Sequence, residues 1–393
     1  MFTRVINIFW NVFVKIIIAI YINMEGFVET YLTHDFDNQE PKDIPETNEP
    51  VWVLGKKFSA KDELDLIRRE VQSIIWCTYR RGFVPIGEPG LTTDKGWGCM
   101  LRCGQMVLAQ ALINLHLGRE WYWTPETKDP TYLKIVSRFE ERRQAPFSIH
   151  QIALMGASEG KEVGEWFGPN TVAQVLKKLL TYDDWSDLVI HVALDNILVK
   201  NDILNLCSVE DSWKPLFLII PLRLGLNSVN PIYVNNLKTC LSLPQSLGII
   251  GGKTNQALYL FGYVGDDILY LDPHTTQKSG TIENKATEEQ QEMDNSYHCK
   301  YASRMPIINM DPSVAVCFLC ANRTDFDSLC KDIQNDIREN GQQCLFEISE
   351  NKLEEWIESN KSSLEATNDC ENLNSFIKVN RNLDSEDEFE LLG

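Results

Sequence analysis

The stretch that most constrains the fold runs from Cys99 to Leu117. Met100, Leu101, Cys103, Met106, Val107, Leu108, Ala111, Leu112 and Leu115 recur there at the spacing of a largely buried helix. The residues before it, Asp94-Lys95-Gly96-Trp97-Gly98, form a glycine-rich turn, so Cys99 falls at the helix N-terminus. The positive end of a helix dipole stabilises a thiolate at that place. Gly96 and Gly98 carry no side chains beside the sulfur, so another backbone can come close. A cysteine nucleophile is built this way. A tight turn before a core helix with a buried thiol reads identically, because cysteine is among the most buried residue types. The stretch alone leaves both open.

The chain has 393 residues, 44% of them hydrophobic, enough for a substantial core in one large domain or two modest ones. Its formal charge of −19, from 56 acidic and 37 basic residues, argues against nucleic-acid binding and unaided adhesion to anionic lipid. It favours a basic or neutral protein partner. Eleven scattered cysteines point to a reduced compartment and not to a disulfide framework. Cys317-Phe318-Leu319-Cys320 is a lone C-x-x-C without the second ligand pair of a structural zinc site. It reads as two half-buried strand cysteines, and no metal or cofactor is called for.

Residues 6–22 are apolar but short for a membrane span, interrupted by Lys15 and two asparagines, and lack a clear cleavage site. They suit a signal anchor, a surface-lying helix or a misassigned start, with Met24 as the working start. Residues 34–50 read as a proline-punctuated linker. Val51–Gly55 suits a strand, and Ser59–Thr78 a helix with Ser59 as its N-cap. Residues 121–147, with Arg138, Glu140, Glu141, Arg142 and Arg143, read as a solvated segment. Pro169–Leu180 suits a helix. From Pro215 the pattern turns to strands: Leu216–Ile220, a hairpin of Ala257–Val264 and Ile268–Leu271, and Val314–Cys320. This order suggests α+β. Phe326–Ile337 suits an amphipathic helix, and the acidic remainder from Glu339 reads as a mobile tail.

A cysteine nucleophile needs a base, and the base an orienter. Of six histidines, His34 and His150 fall in loop-like sequence and His116 several turns along the cysteine helix. His191 starts an apolar run and His298 lies in a disordered-looking loop. Only His274 ends a hairpin strand, in Leu271-Asp272-Pro273-His274. Positions i and i+2 there can point to one side, so Asp272 can hold one ring nitrogen and leave the other for a thiol. An Asp-Pro turn with a surface histidine is the plain alternative. The backbone N–H of Cys99 is a natural oxyanion donor; spacing does not find a second. Gly251-Gly252-Lys253-Thr254 ends like a Walker A loop, but Leu247 stands where the pattern needs glycine and strand-like sequence follows. Gly248–Thr254 reads instead as a flexible loop.

Gly96-Trp97-Gly98-Cys99-Met100-Leu101-Arg102-Cys103-Gly104-Gln105-Met106 and Leu271-Asp272-Pro273-His274-Thr275-Thr276-Gln277 together closely resemble the autophagin family, the autophagy-related protein 4 cysteine proteases, in their metazoan A/B form. The resemblance runs from about Val51 to Ile333. It includes Thr78–Arg81, Trp166–Gln174, Ile220–Leu226 and Pro244–Gly248. It implies a papain-like α+β core over 51–338 with an inserted subdomain at about 120–215, a 1–50 N-terminal tail and a 339–393 C-terminal tail. It implies cleavage after the C-terminal glycine of the ubiquitin-like autophagy modifier, GABARAP-type and relatives. The modifier would be taken both as free precursor and as phosphatidylethanolamine conjugate, in the cytoplasm, with membrane contact only through the substrate. By match of motif, Cys99 is the nucleophile, His274 the base, Asp272 the orienter and Tyr79 the second oxyanion donor. Trp166 and the loop Gly251, Gly252, Lys253, Thr254, Asn255 and Gln256 gate the groove. Asp195, Arg223 and Leu226 meet the modifier's body. Tyr79 and Trp166 also suit plain core aromatics, and Arg223 a solvated strand-end charge. Phe389-Glu390-Leu391-Leu392 has the aromatic-x-x-aliphatic form of a modifier-binding motif, with Phe389 and Leu392 for two pockets. Tyr31-Leu32-Thr33 resembles the family's N-terminal tail. Residues 1–23 depart from the family's usual beginning, and Thr254 stands where close relatives carry proline. Rival readings are an acyl transferase using the same Cys-His-Asp logic and a modifier-binding pseudoenzyme.

Overall fold

The computed structural model describes residues 43–351, apart from 89, 210–211 and 341–343. Residues 1–23, Met24, Tyr31–Thr33 and the Phe389–Leu392 motif lie outside the described residues. The main sheet holds strands Ser303–Pro306, Asp267–Leu271, Gln256–Val264, Ser246–Lys253, Ser313–Cys320, Leu216–Arg223 and Val189–Val192, in that spatial order. Pro50–Val53 also pairs with Gln256–Val264, and carries Lys56–Ser59 on its other side. Only the Val189–Val192 pairing in this sheet is parallel. Side chains alternate along each strand. Phe217 and Ile219 enter one core, while Leu216, Leu218, Ile220 and Leu222 enter the other. Both faces are covered, which is why these strands read as continuous apolar runs.

Helices Cys99–His116 and Pro169–Leu180 cover the first face. Val234–Ser242 and Arg323–Asn340 cover the second. The Cys99–His116 helix is buried continuously from Cys99 to Ile113, as expected of a core helix. It packs on strands Ser246–Lys253 and Gln256–Val264. A small sheet, Thr276–Lys278 beside Tyr79–Ile86 beside Leu91–Thr93, joins the chain after His274 to the chain before Cys99. Among the described residues no helix is long and apolar enough to cross a membrane.

Several sequence expectations are corrected. The first described helix is Leu64–Ser73, not Ser59–Thr78, because the Ser59 hydroxyl closes a turn with Asp62. The 121–147 segment is not a solvated stretch. Helix Pro130–Ser137 lies in it, and Trp123, Tyr132, Phe139 and Phe147 are core residues. Arg138, Glu140 and Glu141 are buried there too, Glu141 against Arg102. Gly248–Lys253 is strand, not loop, and only Thr254 and Asn255 turn. Gly252 has φ 150, and a Cβ there would stand 1.9 Å from the Gln256 carbonyl oxygen, so the position needs glycine. Beyond Glu339, Glu347–Ser349 pairs with Ile197–Val199. Cys317 and Cys320 are fully buried and enter opposite cores, so they cannot hold one ion. No disulfide joins the ten described cysteines.

Candidate active site

Cys99 opens its helix with Gly98 as N-cap. The turn before it is tied by the N–H groups of Trp97 and Gly98, which donate to the Asp94 carbonyl at 3.2 and 2.8 Å. Gly98 has no room for a side chain: a Cβ would lie 2.4 Å from Asp94 Oδ2. The first turn of any helix leaves N–H groups without intrahelical acceptors, so the Cys99 amide is oriented to donate outward. The Cys99 side chain itself is fully buried.

Asp272 and His274 follow the Asp267–Leu271 strand. His274 Nδ1 meets Asp272 Oδ1 at 2.5 Å, and the His274 backbone N–H donates to the same oxygen at 2.9 Å. With Nδ1 engaged, Nε2 is left for Cys99, which acts on the same ring. Burial works against a charged His274 ring, but the bonds to Asp272 and Cys99 and their negative charges outweigh it. They raise its pKa from 6.5 to about 10. Burial alone would raise the Asp272 carboxyl. The His274 bonds, the His274 charge and the Lys253 ammonium outweigh that and hold it below its usual range. An imidazolium between a carboxylate and a thiol can stabilise a thiolate and deliver a proton to a leaving group.

The other described histidines are unlike His274. Burial lowers His116, which stacks on Trp185, and His150, which bonds the Val84 carbonyl. It lowers His191 too. His298 is held between Tyr132 and the Gln72 carbonyl, and burial pushes it down to about 3. His150 lies on helix Ile149–Met155 and His298 in the core, so neither is the loop histidine its local sequence suggested. Burial also pushes the neighbouring thiols up, Cys77 to about 12 and Cys103 well above its ordinary value, so both keep their protons.

Tyr79 begins the Tyr79–Ile86 strand. Its ring stands edge-on to the His274 ring, centroids 5.4 Å apart, and its N–H donates to Pro273 O at 2.9 Å. Trp76, which sequence reasoning did not single out, donates its indole N–H to the Asp272 carbonyl at 2.7 Å. Lys253, just before the Thr254–Asn255 turn, lies over Tyr270 with its ammonium 5.6 Å from the ring centroid. Asn255 takes φ 61, which asparagine tolerates. Trp166, 36% exposed, lies on the segment leading into helix Pro169–Leu180.

Asp195 and Arg223 line an open cleft of ≈ 650 Å³ that is not lined by Cys99, Asp272, His274 or Tyr79. Arg223 braces the turn after its strand by donating to the Gly225 and Leu226 carbonyls, and Leu226 is 86% exposed beside it. Residues Cys344–Glu347 also line this cleft. No local pattern hints at that, since their acidic surroundings resemble a tail.

Residues 64–332 match the model of the peptidase C54 catalytic domain. The cysteine protease ATG4B of Xenopus laevis is 44% identical over 394 residues, covering 94% of this chain and 100% of that protein. The cysteine protease ATG4A of Gallus gallus is 42% identical over 384 residues, covering 89% and 99%. The human cysteine protease ATG4A is 44% identical over 345 residues, covering 80% and 85%. The papain-like α+β core accords with these matches. The chain belongs to the peptidase C54 family, the autophagins, as a cysteine protease of the A/B type.

Proposed function

We propose that this protease cuts the bond after the C-terminal glycine of a ubiquitin-like autophagy modifier of the GABARAP type or its relatives. It acts in the cytoplasm on the peptide bond of the precursor and on the amide bond to phosphatidylethanolamine. The Cys99 thiolate attacks the glycine carbonyl carbon. The Cys99 N–H and the Tyr79 hydroxyl receive the oxyanion. His274, held by Asp272, gives its proton to the departing amine, leaving a thioester on Cys99. Water, deprotonated by His274, then releases the modifier with a free glycine carboxylate.

The observation that supports this reading most is the Asp272–His274 hydrogen bond, with Cys99 acting on the same imidazole and Tyr79 edge-on to it. Cys99 is fully buried, so a covering segment has to move before a carbonyl reaches it. Trp166 and the Gly251–Gln256 hairpin are the segments we assign to that gate. Asp195, Arg223 and Leu226 receive the modifier's body, and Phe389 and Leu392 engage a second modifier surface.

Two substrates test the proposal. One is a modifier with residues beyond its glycine, and the other is the modifier conjugated to phosphatidylethanolamine in liposomes. Both are expected to be cut after the glycine by the wild-type protein and not by Cys99→Ser. Undiminished cleavage by Cys99→Ser overturns the nucleophile assignment. Cleavage of the precursor alone overturns the delipidating role.

A further inference from the structure

Asp94 has no place in the chemistry above, yet it touches both halves of it. Its side chain is fully buried. Oδ1 accepts the Arg80 backbone N–H at 2.7 Å, and Arg80 directly follows Tyr79. Oδ2 accepts Arg102 Nε at 2.7 Å, and a second guanidinium N–H reaches Oδ1 at 3.0 Å, a bidentate pair. Arg102 lies three residues into the Cys99 helix. The Asp94 carbonyl accepts Gly98 N–H, one residue before the nucleophile. One residue therefore bonds the backbone next to the proposed oxyanion donor, the backbone next to the nucleophile and the helix that carries it. The missing side chain of Gly98 lets the carboxylate sit this close.

The guanidinium's other contacts are buried with it. Arg102 is fully buried, and its remaining nitrogen donates to Glu141 Oε1 at 2.8 Å and to Gln105 Oε1 at 3.0 Å. Desolvation opposes the guanidinium's charge, but Asp94 and Glu141 outweigh it, so Arg102 stays charged. A bidentate, dry ion pair has one geometry, whereas a packed apolar contact has several. That rigidity matters where two strands and a helix must present groups to a single carbonyl.

We propose that Asp94, clamped by Arg102, is a positioning residue that fixes the distance between the Tyr79 hydroxyl and the Cys99 sulfur. The inference rests on the reading of Tyr79 as an oxyanion donor. It acts on the step in which both groups must meet the tetrahedral intermediate. A misplacement on the order of 1 Å in such an arrangement can cost up to about 100-fold in rate.

The test is a double-mutant comparison on the full chain, with a modifier precursor as substrate. Asp94→Asn is expected to lower kcat at least about tenfold with KM within about threefold. In a Tyr79→Phe background the same substitution is expected to cost less than about threefold, because the group it positions is gone. Alkylation of Cys99 by iodoacetamide, which needs the thiolate but no oxyanion site, is expected to stay within about threefold. A fall in all three readouts together assigns the loss to general structure and overturns the positioning role. Equal losses in both backgrounds, or a loss confined to KM, overturn the proposal. Tyr79→Phe without any loss overturns the oxyanion reading beneath it, which is a different result. Should Asp94→Asn leave Arg102 unpaired and unfold the chain, Asp94→Asn/Arg102→Gln removes both charges and carries the same comparison. Failure of both to fold assigns the pair to folding and overturns the positioning role.

Discussion

Replacing Asp272 by Asn should move the alkaline edge of activity. In the proposed mechanism His274 is the acid that protonates the leaving amine, so turnover is lost as pH rises through its pKa. In the wild type that pKa stands at about 10, because the Asp272 and Cys99 interactions outweigh burial. A neighbouring carboxylate shifts a histidine by about 1–3 units, so its neutralisation should bring the edge down to between about pH 7 and 9. Burial is then less opposed, which pushes the same way. The Asn amide can also present an N–H to Nδ1 and select the wrong tautomer, so kcat should fall about 10²- to 10⁴-fold at neutral pH. The assay is kcat/KM for a modifier precursor from pH 6 to 10.5 at constant ionic strength. A wild-type edge near the ordinary histidine value, or an edge that Asp272→Asn leaves in place, rules out His274 held by Asp272 as the proton donor.

Further predictions concern the fold around the site. Gly98→Ala drives a Cβ to 2.4 Å from Asp94 Oδ2, which Arg102 holds still. The substitution should cost about 1–3 kcal/mol, read as a lower thermal midpoint, and should slow alkylation of Cys99. His298 and His274 should act on stability in opposite pH windows. Burial lowers His298 from 6.5 to about 3, so its contribution is complete above 6.5 and lost as pH falls toward 3. His274, raised to about 10, contributes fully below 6.5 and is lost as pH climbs through 10. His298→Gln should therefore flatten the acid slope of unfolding free energy by up to about 1.4 kcal/mol per pH unit, measured by urea titration between pH 4 and 7. An unchanged slope contradicts the burial of a neutral ring.

The residues legible in the sequence were those whose role depends on near neighbours. Gly98 before an apolar run places Cys99 at a helix start, and the paired runs Ala257–Val264 and Ile268–Leu271 mark the hairpin that leads to Asp272 and His274. Buried charge was not legible. Glu141 falls in a stretch that reads as solvated, and nothing local marks Arg102, 39 positions away, as its buried partner. His298 was misjudged for the same reason, since its partners Tyr132 and Gln72 are far away in sequence. Gly248–Lys253 reads as a loop because three of its residues are glycine. They are glycines because neighbouring strands crowd the Cβ positions, as the Leu260 and Gln256 carbonyls do at Gly248 and Gly252. The cleft shared by Asp195, Arg223 and Cys344–Glu347 joins three distant segments, which no local pattern records.

The most direct measurement is a covalent trap. A ubiquitin-like modifier carrying a propargyl amide on its C-terminal glycine is incubated with the full chain, and the adduct is mapped by peptide mass spectrometry. A single vinyl thioether on Cys99 is expected, lost in Cys99→Ala and slowed in His274→Ala. An adduct on Cys77 or Cys103, or none on the wild-type protein, contradicts Cys99 as the nucleophile.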